Sequence, residues 1–410
     1  MRKPSIDSSS LAAARTGGPE LSGTNLERAS DHNQRVTLHA IRVNGPVIRT
    51  DLAAMTGLTP AGIANITKRL IKEGLILEAG RLRGARGQPA TRLVINADSC
   101  FSVGLNVDRD HITLLLLDFL GKVRARSSRE IAFAKPATVR TFFQRSIGQL
   151  LAKARISRDR LIGVGVAFPD DISRAHLPDQ PGDYAAWASI KVDELIRDIL
   201  NVPVFVENDA AAAAIGEMQF GAGQQYRSFF YLLVTAALGG GLVADGSYFR
   251  GANGRSGEIG WLRALDGSGA DTQLQNIVSL SALYQRLADQ GFRVASPQGL
   301  TRLEPGARRV VDHWVRESTE ALVSSFLSIN CLINPEAILI GGRLPAILVD
   351  QLAASLNETM GRFKTQLPAV APVARAAMSD DAPAVGAAIL PFSDRFLPSR
   401  SALMKTGGAL

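Results

Sequence analysis

Between Asn33 and Ile95 the apolar positions recur first at helical and then at strand spacing. "RVTLHAIRVNG" sets Val36, Leu38, Ile41 and Val43 around a short helix that stops at Asn44-Gly45. "RTDLAAMTGLTPAGIANITKRLIKEGLI" holds two more helices around a tight turn at Gly57. Thr50 is the expected N-cap of the first. Thr59 before Pro60 caps the second, with proline at the first helical position, where its missing N–H wastes no hydrogen bond. Ile63, Ile66 and Leu70 share that helix's inward face, and Gly74 ends it. Two apolar runs, Leu75-Ile76-Leu77 and Leu93-Val94-Ile95, are joined by the basic "EAGRLRGARGQPATR". Three helices and a basic-tipped hairpin predict a winged helix-turn-helix over residues 31–98, behind a disordered Ser/Gly/Ala-rich tail over 1–30.

From Phe101 the pattern turns to α/β. "FSVGLNVDRDHITLLLLDFLGKV" predicts two strands about a polar elbow at Asp108-Arg109-Asp110 and a turn at Leu120-Gly121-Lys122. "SFFYLLVTAALGGGLVADGSYF" repeats the plan, with a small-residue elbow and a turn at Asp245-Gly246, so the region predicts an internal duplication with both elbows facing a cleft. Further strands are expected at 161–168, 204–206 and 337–340, and helices at 139–154, 192–200, 307–333 and 345–364. In "VFVENDAAAAAIGE" a strand delivers Glu207-Asn208-Asp209 onto an alanine-rich helix, a placement that suits a carboxylate aimed at a ligand hydroxyl.

Composition narrows the classes. A chain of 410 residues is long enough for two or three domains. No stretch of eighteen residues is apolar enough to span a membrane, and the start lacks a secretory core, so a cytoplasmic protein is expected. Two distant cysteines, Cys100 and Cys331, exclude a disulfide framework and suit a reducing compartment, and five scattered histidines offer no metal-ligand spacing. The net charge of +8 is uneven: residues 1–100 hold 14 Lys+Arg against 8 Asp+Glu, a surplus of 6. That asymmetry points to a polyanion partner at that end, most simply nucleic acid such as double-stranded DNA, with a solvated basic face as the alternative.

The second helix of the pair leaves Ala61, Gly62, Ala64, Asn65, Lys68 and Arg69 toward solvent, with Thr59 at its start. Small residues allow approach to the major groove, Asn65 suits an adenine edge, and Lys68 and Arg69 suit phosphate or guanine. Arg81, Arg83 and Arg86 in the wing suit phosphates or a narrow minor groove. The same helices would also serve as a bundle for protein contacts; cap, turn, inward triad and basic wing together favour DNA.

The stretches "LIGVGVAFP", "VPVFVENDAAAAAIGE", "LGGGLVADG", "GRSGEIG", "INPEAILIGG" and "APAVGAAIL", in this order, resemble the ROK family of repressors, open reading frames and sugar kinases. The resemblance runs from about Asn33 to Pro391. It implies an actin-like two-lobed ATPase fold over residues 99–395, with lobes of about 99–208 and 209–395 and a tail over 396–410, and a repressor branch with a winged helix in front. It also implies that Asp209 stands where family kinases keep their base, and that Asn208, Asp209, Glu258, Trp261 and Gln275 form a sugar pocket. The alternative is that Glu258 and Asn208 merely cap or tie loops and that Trp261 is core.

Departures from the family pattern point away from catalysis. The first phosphate loop, roughly Asp-x-Gly-Gly-Thr in the family, is Asn106-Val107-Asp108-Arg109-Asp110 here, with two carboxylates where nucleotide phosphates would lie. Two like charges ~4 Å apart repel by about 1 kcal/mol in water and more in a closed cleft. The second loop, Thr235-Ala236-Ala237, adds methyl groups where the family has glycines. Trp261 replaces a zinc-ligand His, and residues 262–275 contain no cysteine, so no zinc or other metal is expected, and no cofactor. The expectation is a sugar-responsive repressor, homodimeric or homotetrameric, that binds operator DNA and a sugar or sugar derivative with a degenerate kinase domain; the alternative is a sugar kinase using Asp209 as base.

Overall fold

The computed structural model describes residues 26–82, 90–170, 172, 181–294, 296–378 and 381–398. The chain separates into two compact units, one of Met1–Asn96 with Arg395–Leu410 and one of Ala97–Asp394.

The first unit carries α1 (Leu26–Asn44), α2 (Arg49–Thr56), α3 (Pro60–Lys72) and a hairpin of β1 (Ile76–Leu82) and β2 (Ala90–Ile95). Helix α1 starts inside the stretch expected to be a disordered tail, because Glu27 favours its first turn and Asp31 pairs with Arg35 one turn on, at 2.7 Å. Leu38 and Ile41 are buried as expected, whereas Val43 is exposed near the helix end. Thr50 lies within α2 rather than capping it; Ile48 is the N-cap and makes no side-chain cap bond. Gly57 ends α2 at φ +70°, a left-handed conformation that favours glycine. Ile63 and Leu70 are fully buried, but Ile66 is only half-buried. Thr67 completes the inner face instead, its hydroxyl donating to the Ile63 carbonyl at 2.8 Å and accepting from Arg49 Nε at 2.9 Å. In the hairpin Leu77 pairs with Val94, and Val47 extends the ribbon through two backbone bonds to Leu93. The tail expected from 396 is shorter: Phe396 ends a helix, and the buried Leu397 accepts a bond from Arg35 Nη1 at 3.4 Å. Residues 399–410 lie outside the described residues.

The second unit is built on two five-stranded sheets of one design. The first contains β3 (Phe101–Val107), β4 (His111–Asp118), β5 (Val123–Glu130), β6 (Leu161–Ala167) and β7 (Val204–Glu207), in the order β5-β4-β3-β6-β7. The second contains β8 (Phe229–Val234), β9 (Leu238–Ala244), β10 (Ser247–Tyr248), β13 (Ala337–Gly342) and β14 (Val373–Arg375), in the order β10-β9-β8-β13-β14. Each is an antiparallel meander of three strands followed by two parallel ones, so the expected duplication is visible in strand order and direction. A ribbon of β11 (Arg263–Leu265) and β12 (Asp271–Gln273) lies in the second half. The helices are α4 (Pro136–Ala154), α5 (Val192–Ile196), α6 (Asp209–Phe220), α7 (Leu280–Asp289), α8 (Pro305–Leu332), α9 (Ala346–Gly361) and α10 (Ala382–Phe396). Strands β3, β4, β8 and β13 are buried along their whole length, which is why their sequences are continuous apolar runs.

The boundary expected between lobes at 208/209 falls between β7 and α6, but packing does not respect it. Helix α10 comes from the end of the chain and closes on the first sheet. A Cβ on Gly104 would lie 2.0 Å from the Ala384 carbonyl oxygen, one on Gly165 1.8 Å from that of Ala387, and one on Gly386 1.6 Å from that of Ala212 in α6. Replacing Gly165 by alanine is therefore expected to destabilise the protein by about 1–3 kcal/mol or more, through backbone that must move apart. Gly148→Ala, in α4 with open space around its Cβ, is expected to be neutral or stabilising by about 0.5–1 kcal/mol. Parallel thermal melts of the two variants check this; equal melting temperatures would contradict it.

Candidate functional site

In the first unit, α3 presents Ala61, Asn65, Lys68 and Arg69 to solvent on one face, with Gly62 half-buried beside them. The face forms because Ile63, Thr67 and Leu70 are drawn inward at intervals of three and four. Thr59 starts the helix as expected from its sequence: its Oγ1 accepts from the Gly62 amide at 3.1 Å. That bond gives Thr59 a structural task. Arg69 is tied to Glu73 one turn on, at 2.8 Å, whereas Asn65 and Lys68 are the exposed groups toward the middle of the face. Arg81 lies in β1, opposite Thr91; Arg83 and Arg86 lie outside the described residues.

In the second unit Asn208, Asp209, Glu258, Trp261 and Gln275 all line one cavity of about 690 Å³. That volume is in the range of small-molecule sites, which span about 300–1,000 Å³. The carboxyl ends of two parallel strands feed it: β6 leads to Pro169-Asp170 and β7 to Asn208-Asp209. Asn208 caps α6, its Oδ1 accepting from Ala210 and Ala211 at 2.9 and 3.1 Å, and its Nδ2 reaches Asp170 Oδ2 at 3.3 Å. Glu258 Oε1 accepts from Arg255 at 3.0 Å, and Gln275 Nε2 donates to Gln273 at 2.8 Å. Both groups expected to be able to tie loops do so while also facing the cavity. Trp261 is not core: 45% of it is exposed, and it lines the cavity.

Asp209 Oδ1 accepts from the Ala210 amide at 2.8 Å. Burial, and then the nearby Asp108 carboxylate, push its pKa up to about 7. A carboxyl group poised there is chemically competent as a base or as a hydrogen-bond partner of a hydroxyl.

The two elbows bear on the phosphate question. At the first, Asp108 Oδ1 accepts from the Arg109 amide at 2.7 Å, so the protein's own carboxylate takes a donor of the kind that a phosphate oxygen would need. At the second, the Thr235 amide donates to the Ala237 carbonyl at 2.9 Å and the Ala237 amide to Thr235 Oγ1 at 3.4 Å, closing the turn on itself. The expectation of two uncompensated carboxylates at the first elbow needs correction. Arg343, buried at the end of β13, donates to Asp110 at 2.8 Å and also pairs with Glu130, and the Asp110 pKa is lowered. His111 lies 3.3 Å from Asp110 and 3.2 Å from Asn106 Nδ2. The charge at Asp110 is thus neutralised within the fold. At both elbows backbone amides are engaged by the protein's own oxygens.

Asp108, Asp110 and His111 bring one ligand atom each to within 4.8 Å of one another, a grouping that the wide spacing of the histidines did not lead us to expect, since two of its members are aspartates. Arg343 already occupies Asp110 in that group. Sequence reasoning also missed Arg109, Asp170 and Arg286 as cavity residues. Asp170 was legible as the position just beyond a buried parallel strand; Arg109 was noticed only as a spacer between two aspartates; Arg286 on α7 gave no signal.

The profile of the ROK family matches residues 102–393. The xylose repressor of Bacillus spizizenii is 30% identical over 229 residues, 56% of this chain and 59% of that protein, so the alignment spans little more than half of that relative. The DNA-binding transcriptional dual regulator NagC of Escherichia coli is 25% identical over 382 residues, 87% of this chain and 92% of that protein. Among solved structures, a ROK family transcriptional regulator described as a homologue of the E. coli MLC protein superposes with a TM-score of 0.64 at 23% identity, covering 89% of this chain and 96% of that one, a likeness of fold. Among the described residues no helix is long and apolar enough to cross a membrane.

The raised Asp209 pKa has a stability consequence. An unfolded aspartate titrates near 3.9, so between about pH 4 and 7 the native state holds this proton more tightly, and stability falls as pH rises through that window. Asp209→Asn removes the fall. A rise to about 7 would amount to about 4 kcal/mol, which the opening to the cavity reduces to on the order of 2 kcal/mol. The variant should therefore match the parent at pH 4 and exceed it by that margin at pH 8 in urea unfolding; a margin independent of pH would refute the shift.

Proposed function

Because the chain belongs to the ROK family, we propose that it is a sugar-responsive DNA-binding transcriptional regulator, a repressor of carbohydrate-metabolism genes. One observation carries the reading: an exposed recognition-type helix shares a chain with a kinase-like cavity whose phosphate elbows are closed by their own hydrogen bonds. Relatives named xylose repressor and NagC support it. In this reading α3 enters the major groove, Asn65 reads a base edge, and Lys68 contacts phosphate. Arg81, Arg83 and Arg86 serve the wing, and a homodimer or homotetramer sets two such helices about 34 Å apart in successive grooves. A sugar held by Asp209, Glu258, Gln275 and the Trp261 ring shifts operator affinity only as far as it prefers one conformation of the protein. The site binds its ligand without transforming it.

The pKa of Asp209 near 7 favours the second reading, a sugar kinase with an appended DNA-binding domain. Coupled ADP release with xylose, glucose and N-acetylglucosamine separates the two: no turnover is expected, and turnover abolished by Asp209→Asn would establish the kinase.

Two outcomes test the regulator. Fragments of its own promoter region should be retarded in a gel shift and released by at least one of those sugars; fragments that never shift would sink the reading. Lys68→Ala should weaken binding to all sequences alike and reduce the slope of log K against log salt by about 1, whereas Asn65→Ala should cost about 1–3 kcal/mol at one base pair only. Salt titrations on matched operator variants measure both.

A further inference from the structure

We propose that α10 relays the state of the cavity to the DNA-binding unit, and that Arg35 of α1 is the positioning residue that receives it. The inference rests on the regulator reading above and names the structural route of its response.

Helix α10 belongs to both compact units: it begins in the second, and from Arg395 onward the chain is part of the first. Its opening is held where the cavity is built. One residue before the helix, Arg126 Nε donates to both oxygens of Asp381, at 2.7 and 2.8 Å. A Cβ on Gly216 of α6 would lie 3.0 Å from the Ala382 carbonyl oxygen, and the Ser102 hydroxyl of β3 donates to the Ala388 carbonyl. With the backbone approaches at Gly104, Gly165 and Gly386, these leave no slack between α10 and the elements it touches. Among those elements is α6, whose first residue is Asp209. Any shift of α6 must therefore move α10 or break its packing.

Midway, α10 has a weak point that the fold splints. Pro391 has no amide to give the Ala387 carbonyl, an omission that softens a helix. Its ring rests on β6 instead, where a Cβ on Gly163 would meet Pro391 Cβ at 2.9 Å. The next residue, Phe392, packs on Phe119 with ring centroids 5.4 Å apart. The far end is held as well. Just beyond the last turn, where carbonyls lack helical partners and the helix dipole is negative, the Leu397 oxygen accepts from Arg35. Gln34, beside Arg35, donates to Glu73 at 3.2 Å, and Glu73 holds Arg69 on the exposed face of α3. The end of α10 is thus tied, through two adjacent residues of α1, to the helix proposed to read DNA.

Continuity becomes coupling only when the equilibrium at one end biases the other, and that is what the test reads. Full-length variants are titrated with promoter fragments, with and without xylose, glucose and N-acetylglucosamine. In the parent, the releasing sugar is expected to lower DNA affinity about tenfold or more. Arg35→Gln should bind the sugar-free fragment within about threefold of the parent, yet respond to that sugar less than about twofold. Pro391→Gly removes the splint at an independent point and should show the same loss, which keeps the test open if one variant does not fold. Asp31→Asn removes the ion pair of Arg35 on α1 and spares the Leu397 bond; it should respond as the parent does. A full response in Arg35→Gln and Pro391→Gly would overturn the relay. So would an equal weakening of DNA binding with and without sugar, which marks both residues as structural.

A second measurement needs no sugar. At about pH 8, where Asp209→Asn relieves a buried charge, amide exchange in residues 36–44 should be slower in that variant than in the parent. Adding Arg35→Gln should abolish the difference there while leaving it within residues 209–220. If no sugar releases DNA, the sugar reading falls and this measurement alone decides the relay. Exchange in residues 36–44 that ignores Asp209→Asn would sink it.

Discussion

Helix α6 reaches the cavity because nothing larger than a methyl group stands between it and its neighbours. Ala210 to Ala214 are all buried, and an added Cβ on Gly241 would lie 2.6 Å from Ala214 Cβ. On another side Ala212 meets Gly386 of α10 at backbone distance. Close packing on two sides fixes the helix axis, and the axis fixes where its first residue points. Asn208 then closes the free amides of the first turn, so Asp209 is delivered to the cavity wall with one oxygen held by the Ala210 amide. The alanine run that looks like simple helix propensity is a packing requirement.

A second constraint is the handling of charge at the first elbow. Asn106, Asp108, Arg109, His111 and Arg343 are all buried, a concentration of polar groups that a fold tolerates only when most are paired. Arg343 joins Asp110 and Glu130, and thereby links the end of β13 in one sheet to the β3–β4 and β5 region of the other. The elbow is thus knitted into the fold through Asp110, the residue that stands where the family pattern has a threonine.

Much of this was legible in the chain before any coordinates. The winged-helix elements, both elbows and the positions of the main buried strands followed from apolar spacing and turn residues. Strand β5 did not, since "VRARSSRE" is charged and exposed along most of an edge. Helix α10 was visible as a motif but not as a bridge between lobes, because small residues signal close approach without naming the partner. In the cavity, the five candidate side chains were gathered from family likeness, whereas Arg109 was overlooked between two acids whose charge drew attention. Which carboxylate is neutralised depends on Arg343, more than two hundred residues away, and no local pattern carries that pairing.

The closed elbows also bear on how such a site serves regulation. A pocket that phosphorylated its ligand would deplete what it measures, and its occupancy would follow turnover as well as concentration. A pocket that keeps the hydroxyl-binding wall and loses the phosphate cradle responds to concentration alone, so its occupancy is an equilibrium quantity that can be linked to DNA affinity. Asp209 fits both lives of the site, since a carboxyl near neutrality accepts a hydroxyl hydrogen whether or not a proton transfer follows. What distinguishes the two is the neighbourhood of that carboxyl. Here it contains an amide that bonds Asp108 and a turn closed by Thr235, at the two loops where the chain departs from the kinase pattern.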